Sequence, residues 1–350
     1  MLTQNAGSKD SLTRIFQWFT VIVFGGVILY VGKPLFIPLS YAVFISFILQ
    51  PVCAWLERRG WKRDLAISAS LVLMFIVSGI LIWFIISQFR NFIRDWPEIK
   101  LQLISITAAL EKMLVEKLHL QPDVVSNWFE SLTESLPFNS VSGIGSTAMS
   151  IGVGMVMLLL IPVYVFLILH YRQLLVDALT LVFPESRRNQ VKEVIRLSIG
   201  TYYGFIKGMI VVYLIVGVLN SVGLLLLGVP HAILFGFLTA VMTIIPYVGI
   251  MVASVMPIIY AWVTFQSIWY PIGVVAIFAF VQYLEANVIF PWAVSSRLQL
   301  NTLITLIVII LGGVLWGASG MILFIPMAAI LKLIADRMEG WEGLSRILGK

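Results

Sequence analysis

One stretch near the C-terminal end limits most strongly what this chain can fold into. From Gly208 to Leu331, 124 residues contain only two formally charged side chains, Glu285 and Arg297. Soluble domains carry about 25% charged residues, whereas this whole chain of 350 residues carries 11% and is 60% hydrophobic. Because so long an apolar region has to be shielded from water, the sequence predicts an all-α polytopic membrane protein.

Basic residues indicate which loops face the cytoplasm. Apolar segments at Ile15–Gly32, Pro34–Leu56 and Leu65–Gln88 predict three spans, and the loop 57–64 between the last two holds four basic residues. The positive-inside rule places this loop in the cytoplasm, and the N-terminus with it. The basic residues between Lys332 and Lys350 put the C-terminus on the same side. This distribution accounts for the net charge of +6 without nucleic acid as a partner.

Several apolar pieces in the later half are shorter than the roughly 17 to 25 residues of a spanning helix. After a fifth span at Met209–Leu227 they are His231–Ile245, Ile250–Phe265, Ile272–Phe290, Thr302–Leu315 and Met321–Ile334. Breaks rich in Gly and Pro, at Ile245–Gly249 and Gly312–Gly320, separate two pairs of them. Short, interrupted segments of this kind indicate the binding site of a transporter. The broken pairs are either full spans, giving eight to ten spans, or re-entrant hairpins added to about six full spans; their shortness favours hairpins.

The pattern divides the chain into five regions. They are an N-terminal scaffold of three spans (1–88), a small extramembrane helical insert (89–147), a fourth span with cytoplasmic amphipathic helices (148–207), a transport core with two broken helix pairs (208–337) and a cytoplasmic tail (338–350). The insert contains no run long enough to span, and its apolar positions from Ile99 to Met113 recur at four and three residues, as on an amphipathic helix.

Glu285 is the first candidate for a functional residue, because a carboxylate near the middle of a bilayer costs about 2.5 to 3.5 kcal/mol on insertion scales and usually faces a bundle interior or water-filled cavity. The alternative is a structural carboxyl near the membrane edge, bonded to a neighbouring helix. Gln282 lies three residues earlier on the same helix face. Pro291 has no N–H for the carbonyl of Asn287, which offers a further oxygen ligand.

The remaining candidates for the solute or ion path lie at the breaks. They are Pro246, Tyr247, Gly249, Asn301, Gly313, Gly317 and Gly320. Close helix packing is the alternative explanation for the glycines. For Asn301, and for polar groups such as Asn220, Ser221 and Thr239, bonding between helices is an equally good explanation.

The chain shows no catalytic or metal-binding pattern. His119, His170 and His231 are widely separated, Cys53 is the only cysteine, and no Ser-His-Asp order, HExxH or P-loop occurs. We therefore expect neither an enzyme nor a resident cofactor. Secondary transport, with Na⁺ or H⁺ as the candidate coupling ion, or a passive channel remains.

Four motifs resemble those of the AI-2E (autoinducer-2 exporter) transporter family in order and spacing. They are Gly228–Ala232 (GVPHA), Ile245–Gly249 (IPYVG), Glu285–Pro291 (EANVIFP) and the segment Gly312–Pro326. The resemblance covers nearly the whole chain and implies a multi-pass protein of the bacterial inner membrane. Members of this family are linked to export of autoinducer-2 or to sodium/proton exchange.

These patterns lead to one functional hypothesis and two alternatives. The hypothesis is a secondary transporter, embedded in the lipid bilayer and homo-oligomeric, that moves a small polar solute or exchanges monovalent cations. The first alternative is a non-transporting membrane protein that binds a partner through the insert 89–147. The second is a passive channel.

Cysteine labelling distinguishes hairpins from full spans. In a Cys53→Ser background, single cysteines at Tyr247 and Ser319 are expected to react partially with a membrane-impermeant maleimide, because hairpin tips lie near mid-depth. Complete labelling of both positions from one side would instead identify them as ordinary loops.

Overall fold

The computed structural model describes residues 16, 20, 23–118, 148–244, 248–294, 300–338 and 340–349. Within these residues the chain is helical and contains no strand. The helices are α1 (Lys33–Arg58), α2 (Arg63–Leu118), α3 (Ala148–His170), α4 (Arg172–Leu181), α5 (Glu185–Leu226), α6 (Ala232–Met242), α7 (Val248–Phe265), α8 (Trp269–Leu284), a π-helical turn (Glu285–Ile289), α9 (Phe290–Ala293), α10 (Thr302–Trp316), α11 (Ala318–Ala335) and α12 (Glu342–Leu348).

Five helical segments of the described chain are long and apolar enough to cross a membrane. They are α1, the segment Arg63–Asp95 of α2, α5, the segment Trp269–Ala293 and α11. A sixth results if Leu159–His170 and α4, which meet at a bend of 70°, are counted as one span. The prediction of an all-helical polytopic membrane protein is confirmed. Of the first predicted span, residues 15, 17–19 and 21–22 lie outside the described residues, and residues 23–31 are helical.

Two helices run through positions where a change of element was expected. α2 continues from the third predicted span past Phe89 to Leu118, and the rest of the predicted insert lies outside the described residues. α5 joins the predicted amphipathic helix and the fifth span into one helix of 42 residues. A change in hydropathy does not interrupt backbone hydrogen bonds, and neither boundary carries the Gly–Pro combination that ends a helix.

The described chain forms two compact units. The first contains the described residues within 1–70, 157–203 and 298–350, and the second contains those within 71–156 and 204–297. The helix pair α6–α7 belongs to the second unit and the pair α10–α11 belongs to the first.

In the first unit, α10 and α11 form a tightly packed helical hairpin. Gly317 alone joins the two helices, with φ 61° and ψ −143°, a conformation that L side chains rarely adopt. Gly312 and Gly320 face each other so closely that a Cβ on either would meet the backbone of the other. At the same end, Trp316 Nε1 donates a hydrogen bond of 2.9 Å to the carbonyl of Leu29.

In the second unit, α5 packs antiparallel against the segment formed by α8, the π-helical turn and α9. A Cβ on Gly208 would meet the carbonyl of Ala293, and a Cβ on Gly223 would meet Ile277. α6 packs on another side of α5, where Gly236 approaches the backbone of Ser221. Small residues thus let the backbones approach closely at three helix contacts, as is usual where lipid provides no hydrophobic driving force between helices.

The glycine contact in the first unit predicts a difference between two chemically identical substitutions. Gly320→Ala places a methyl group against the backbone of Gly312 and is expected to destabilise the protein by about 1–3 kcal/mol, as overpacking does. Gly200→Ala, in α5, adds the same methyl group where nothing lies within 4 Å, and is expected to stabilise by up to about 1 kcal/mol. Thermal unfolding in detergent measures both. Equal shifts in the two variants would contradict the close packing.

Candidate functional site

Glu285 opens a π-helical turn in the middle of an otherwise α-helical segment. The N–H of Phe290 donates to the carbonyl of Glu285, five residues earlier, as π-helical geometry requires. Pro291 follows immediately and has no N–H to donate the next backbone hydrogen bond of the helix. Single π-helical turns inside α-helices are frequent at functional sites, and this one begins at the carboxylate that the sequence singled out.

The Glu285 side chain is buried without full hydrogen bonding. Only 7% of the residue is exposed, and Oε2 has no hydrogen-bond partner among the described residues. One turn earlier, the Oε1 atom of Gln282 is also buried and has no partner there. Since a buried polar atom without a hydrogen bond costs about 1–3 kcal/mol, both atoms are available to a ligand, an ion or water.

α5, which packs against this segment, carries two further polar side chains. Tyr213 packs against the same cluster of buried residues as Val281 and Ile289, which stand four residues before and after Glu285, and Asn220 follows two helical turns later, about 10 Å along the axis on the same face of α5. Asn220 is 0% exposed, and neither its Nδ2 nor its Oδ1 has a partner among the described residues. We call these four side chains, Tyr213, Asn220, Gln282 and Glu285, the polar seam.

The polar seam differs from the other buried polar groups of the second unit. The hydroxyls of Ser221, Thr239 and Thr243 each donate to the carbonyl four residues earlier in their own helix, at 2.7, 2.7 and 2.8 Å. Short Ser and Thr side chains can make this bond, so burial leaves them satisfied. The longer Asn220 amide makes no such bond. The sequence marked all these residues as polar groups at membrane depth, but only the structure separates Asn220 from the rest.

The other candidates in the second unit have separate surroundings. Asn287 is exposed, and its Nδ2 donates 2.9 Å to the carbonyl of Tyr283, one turn earlier. Gly249 is buried at the start of α7, against the carbonyl of Met242. Pro246 and Tyr247 lie outside the described residues. The structure therefore places Glu285 and Gln282 one turn apart on one helical segment, and it adds Tyr213 and Asn220 on α5, the helix that packs against this segment.

The candidates in the first unit make packing contacts. Asn301 caps α10, because its Oδ1 accepts a hydrogen bond of 3.0 Å from the N–H of Leu303. Gly313 lies against the side chain of Met321, and Gly317 and Gly320 form the joint of the α10–α11 hairpin described above. The predicted roles of these residues in a solute path remain predictions.

The donor set limits what the polar seam can hold. No group of three His, Cys, Asp or Glu side chains able to hold a metal ion occurs among the described residues. The seam offers one carboxylate, two amides and one phenol, which are hydrogen-bonding groups and hard oxygen donors. Such groups suit a proton, a monovalent cation or a polar solute better than a tightly bound transition metal.

Helices long and apolar enough to cross a membrane identify an integral membrane protein, and comparison with known proteins gives its family. The sequence model described as AI-2E family transporter matches residues 19–340. The chain therefore belongs to the AI-2E transporter family, as its motifs indicated.

Relatives in this family match the chain over most of its length. "Putative transport protein YrrI" of Bacillus subtilis (strain 168) is 25% identical over 330 residues, covering 92% of each chain. "Putative transport protein YhhT" of Escherichia coli (strain K12) is 25% identical over 339 residues, covering 94% of this chain and 91% of the relative. "AI-2 transport protein TqsA" of the same strain is 23% identical over 313 residues, covering 89% and 88%.

The unsatisfied amide of Asn220 predicts that an apolar substitution is tolerated by the fold. Asn220→Leu removes a buried group without partners, so we expect unchanged stability or a gain of up to about 1–3 kcal/mol. The control is Thr239→Val, at an equally buried position, which removes a hydroxyl that is satisfied and is expected to cost about 0.5–1.5 kcal/mol. Thermal unfolding in detergent provides the comparison. A clear loss of stability in Asn220→Leu would mean that the amide has a structural partner.

Proposed function

We propose that this protein is a secondary transporter of the bacterial inner membrane that moves a small polar solute or exchanges monovalent cations, with H⁺ or Na⁺ as the coupling ion. The observation that carries the proposal is the buried, incompletely bonded carboxylate of Glu285 in the π-helical turn. Membership of the AI-2E family supports transport as the activity.

Coupling follows from the cost of leaving Glu285 charged in an apolar bundle. The carboxylate is neutralised either by a proton or by a cation, for which the side-chain oxygens of Gln282 and Asn220 are further ligands. A second ion or a solute that reaches the same groups has to displace the first. Competition for one carboxylate is therefore sufficient to couple two fluxes.

Helix length supports a re-entrant hairpin most directly for α6–α7; in the α10–α11 pair only α10 is short, because α11 by itself is long enough to cross a membrane. The 11 residues of α6 extend about 16 Å and the 15 residues of α10 about 22 Å at the α-helical rise, whereas the hydrocarbon core is about 30 Å thick. Six full spans with two hairpins then place both termini in the cytoplasm, in agreement with the basic loops.

The solute class rests on a relative and on the chemistry of the seam. TqsA, at 23% identity, is named an AI-2 transport protein. As part of the proposal, this chain transports a small polar solute of the autoinducer-2 type. The amide atoms of Asn220 and Gln282 that have no partner among the described residues suit a solute with both donor and acceptor groups. A homo-oligomeric assembly belongs to the same proposal.

Flux through proteoliposomes tests the role of Glu285. Glu285→Gln keeps the size and hydrogen-bonding capacity of the side chain but removes its charge, so we expect gradient-driven flux to fall by about tenfold or more, equivalent to roughly 1.4 kcal/mol. The pH and sodium dependence of the remaining flux is expected to disappear.

Glu342→Gln is the matched control, because Glu342 is exposed outside the membrane-spanning helices and is expected to leave flux unchanged. The screen uses H⁺ and Na⁺ gradients with small polar metabolites. Normal, equally pH- and sodium-dependent flux in Glu285→Gln would rule out the proposed role. Flux that does not saturate and is independent of any gradient would identify a passive channel.

A further inference from the structure

An apolar groove lies in the first unit and contains no residue of the polar seam. Its volume is about 350 Å³, within the range of roughly 300–1,000 Å³ typical of ligand pockets. The lining is apolar except for one serine and consists of Phe47, Leu179, Phe183, Val191, Val194, Ile195, Ser198, Ile330, Ile334 and Met338. A groove of this composition does not hold ordered water, which needs several polar partners.

The groove lies next to the bend between α3 and α4. α3 and α4 meet at an angle of 70°, and α4 carries Leu179 of the groove. Its other leucines, Leu174, Leu175 and Leu181, are 66%, 47% and 65% exposed. A short helix with exposed leucines, bent sharply away from an apolar span, is typical of a helix at the membrane interface. The groove thus opens at the level where lipid head groups meet acyl chains.

One end of the groove is basic. The lining positions of α5, from Val191 to Ser198, lie on one helix face, and one turn upstream the same face carries Arg187 and Arg188. On α11, Ile330 and Ile334 line the groove, and Arg337 follows in the turn after Ala335, where the side-chain amide of Gln190 donates to its backbone carbonyl. The apolar stripes of both helices therefore end in arginines, and the Gln190 bond ties these ends together.

Arg188 retains donor capacity at this end. Its Nη1 lies 3.2 Å from Oε1 of Glu185, a carboxylate that is 86% exposed, while its Nε is buried and has no hydrogen-bond partner among the described residues. The arginine guanidinium binds phosphate oxygens through paired donors. The available Nε suits a phosphate at the mouth of the groove.

We propose that this groove binds one anionic phospholipid of the surrounding bilayer, with an acyl chain along the apolar lining and the phosphate at Arg188 and Arg337. Basic pockets between membrane helices on the cytoplasmic side recognise anionic head groups, and the charge distribution places this end on that side. A water-soluble ligand gains nothing from the apolar lining. The inference is independent of the proposed transport function.

Lipid retention by the purified full-length protein tests the acyl-chain site. Delipidated protein in detergent is incubated with equal amounts of dioleoylphosphatidylglycerol and dioleoylphosphatidylcholine, and bound lipid is counted by native mass spectrometry. Leu179→Asn is expected to lower retention of both lipids about tenfold, because it removes apolar contact area inside the groove. Leu175→Asn is the matched control on the same helix outside the groove, and is expected to retain lipid as the wild type does.

The head-group site is tested in the same measurement. The wild type is expected to prefer phosphatidylglycerol, and Arg188→Gln is expected to reduce retention of that lipid about fivefold while leaving phosphatidylcholine unchanged. Equal losses in Leu179→Asn and Leu175→Asn, or the same lipid preference in Arg188→Gln as in the wild type, would overturn the proposal. Displacement of the lipid by glycerol phosphate alone would also overturn the proposal, because a head group without acyl chains would then be sufficient. So would a Leu179→Asn protein that keeps its lipid but no longer associates with a second copy of the chain.

Discussion

The structure depends above all on the need to satisfy backbone N–H and C=O groups where no water is present. In hydrocarbon each unpaired group costs several kcal/mol, so the apolar parts of the chain become helices and the interruptions are few and short. Gly317 shows how small such an interruption can be. One residue with positive φ ends α10 and begins α11, and the close approach of Gly312 and Gly320 packs the helices that it joins.

Side chains at membrane depth follow the same rule with a few exceptions, and the exceptions define the candidate site. Hydroxyls bond back to their own helices, as in Thr239, and contribute little to recognition. The carboxylate of Glu285 and the amide of Asn220 have atoms without a partner among the described residues, although both residues are buried. Evolution can retain such a cost where a ligand repays it. Binding by the polar seam, as proposed above, would offset this cost.

The sequence predicted the fold class and the position of Glu285, because long apolar runs and a single buried acid are local patterns. It did not predict how far helices extend, since α2 and α5 continue across changes in hydropathy that leave the hydrogen-bond ladder intact. It also could not rank Asn220 above Ser221, because the distinction depends on which neighbouring carbonyl a side chain reaches. The π-helical turn at Glu285 was partly foreseeable, since Pro291 cannot donate a backbone hydrogen bond and the hydrogen-bond pattern before it has to change.

The one-residue joint at Gly317 also determines the electric field at the tip of its hairpin. α10 directs its C-terminus, and α11 its N-terminus, to the same point. Helix macrodipoles place about half an elementary charge of opposite sign at these two ends, so the two contributions cancel. Residues 314–321 contain no ionisable side chain. The tip is thus electrically neutral, and it offers a charged partner to neither a cation nor an anion.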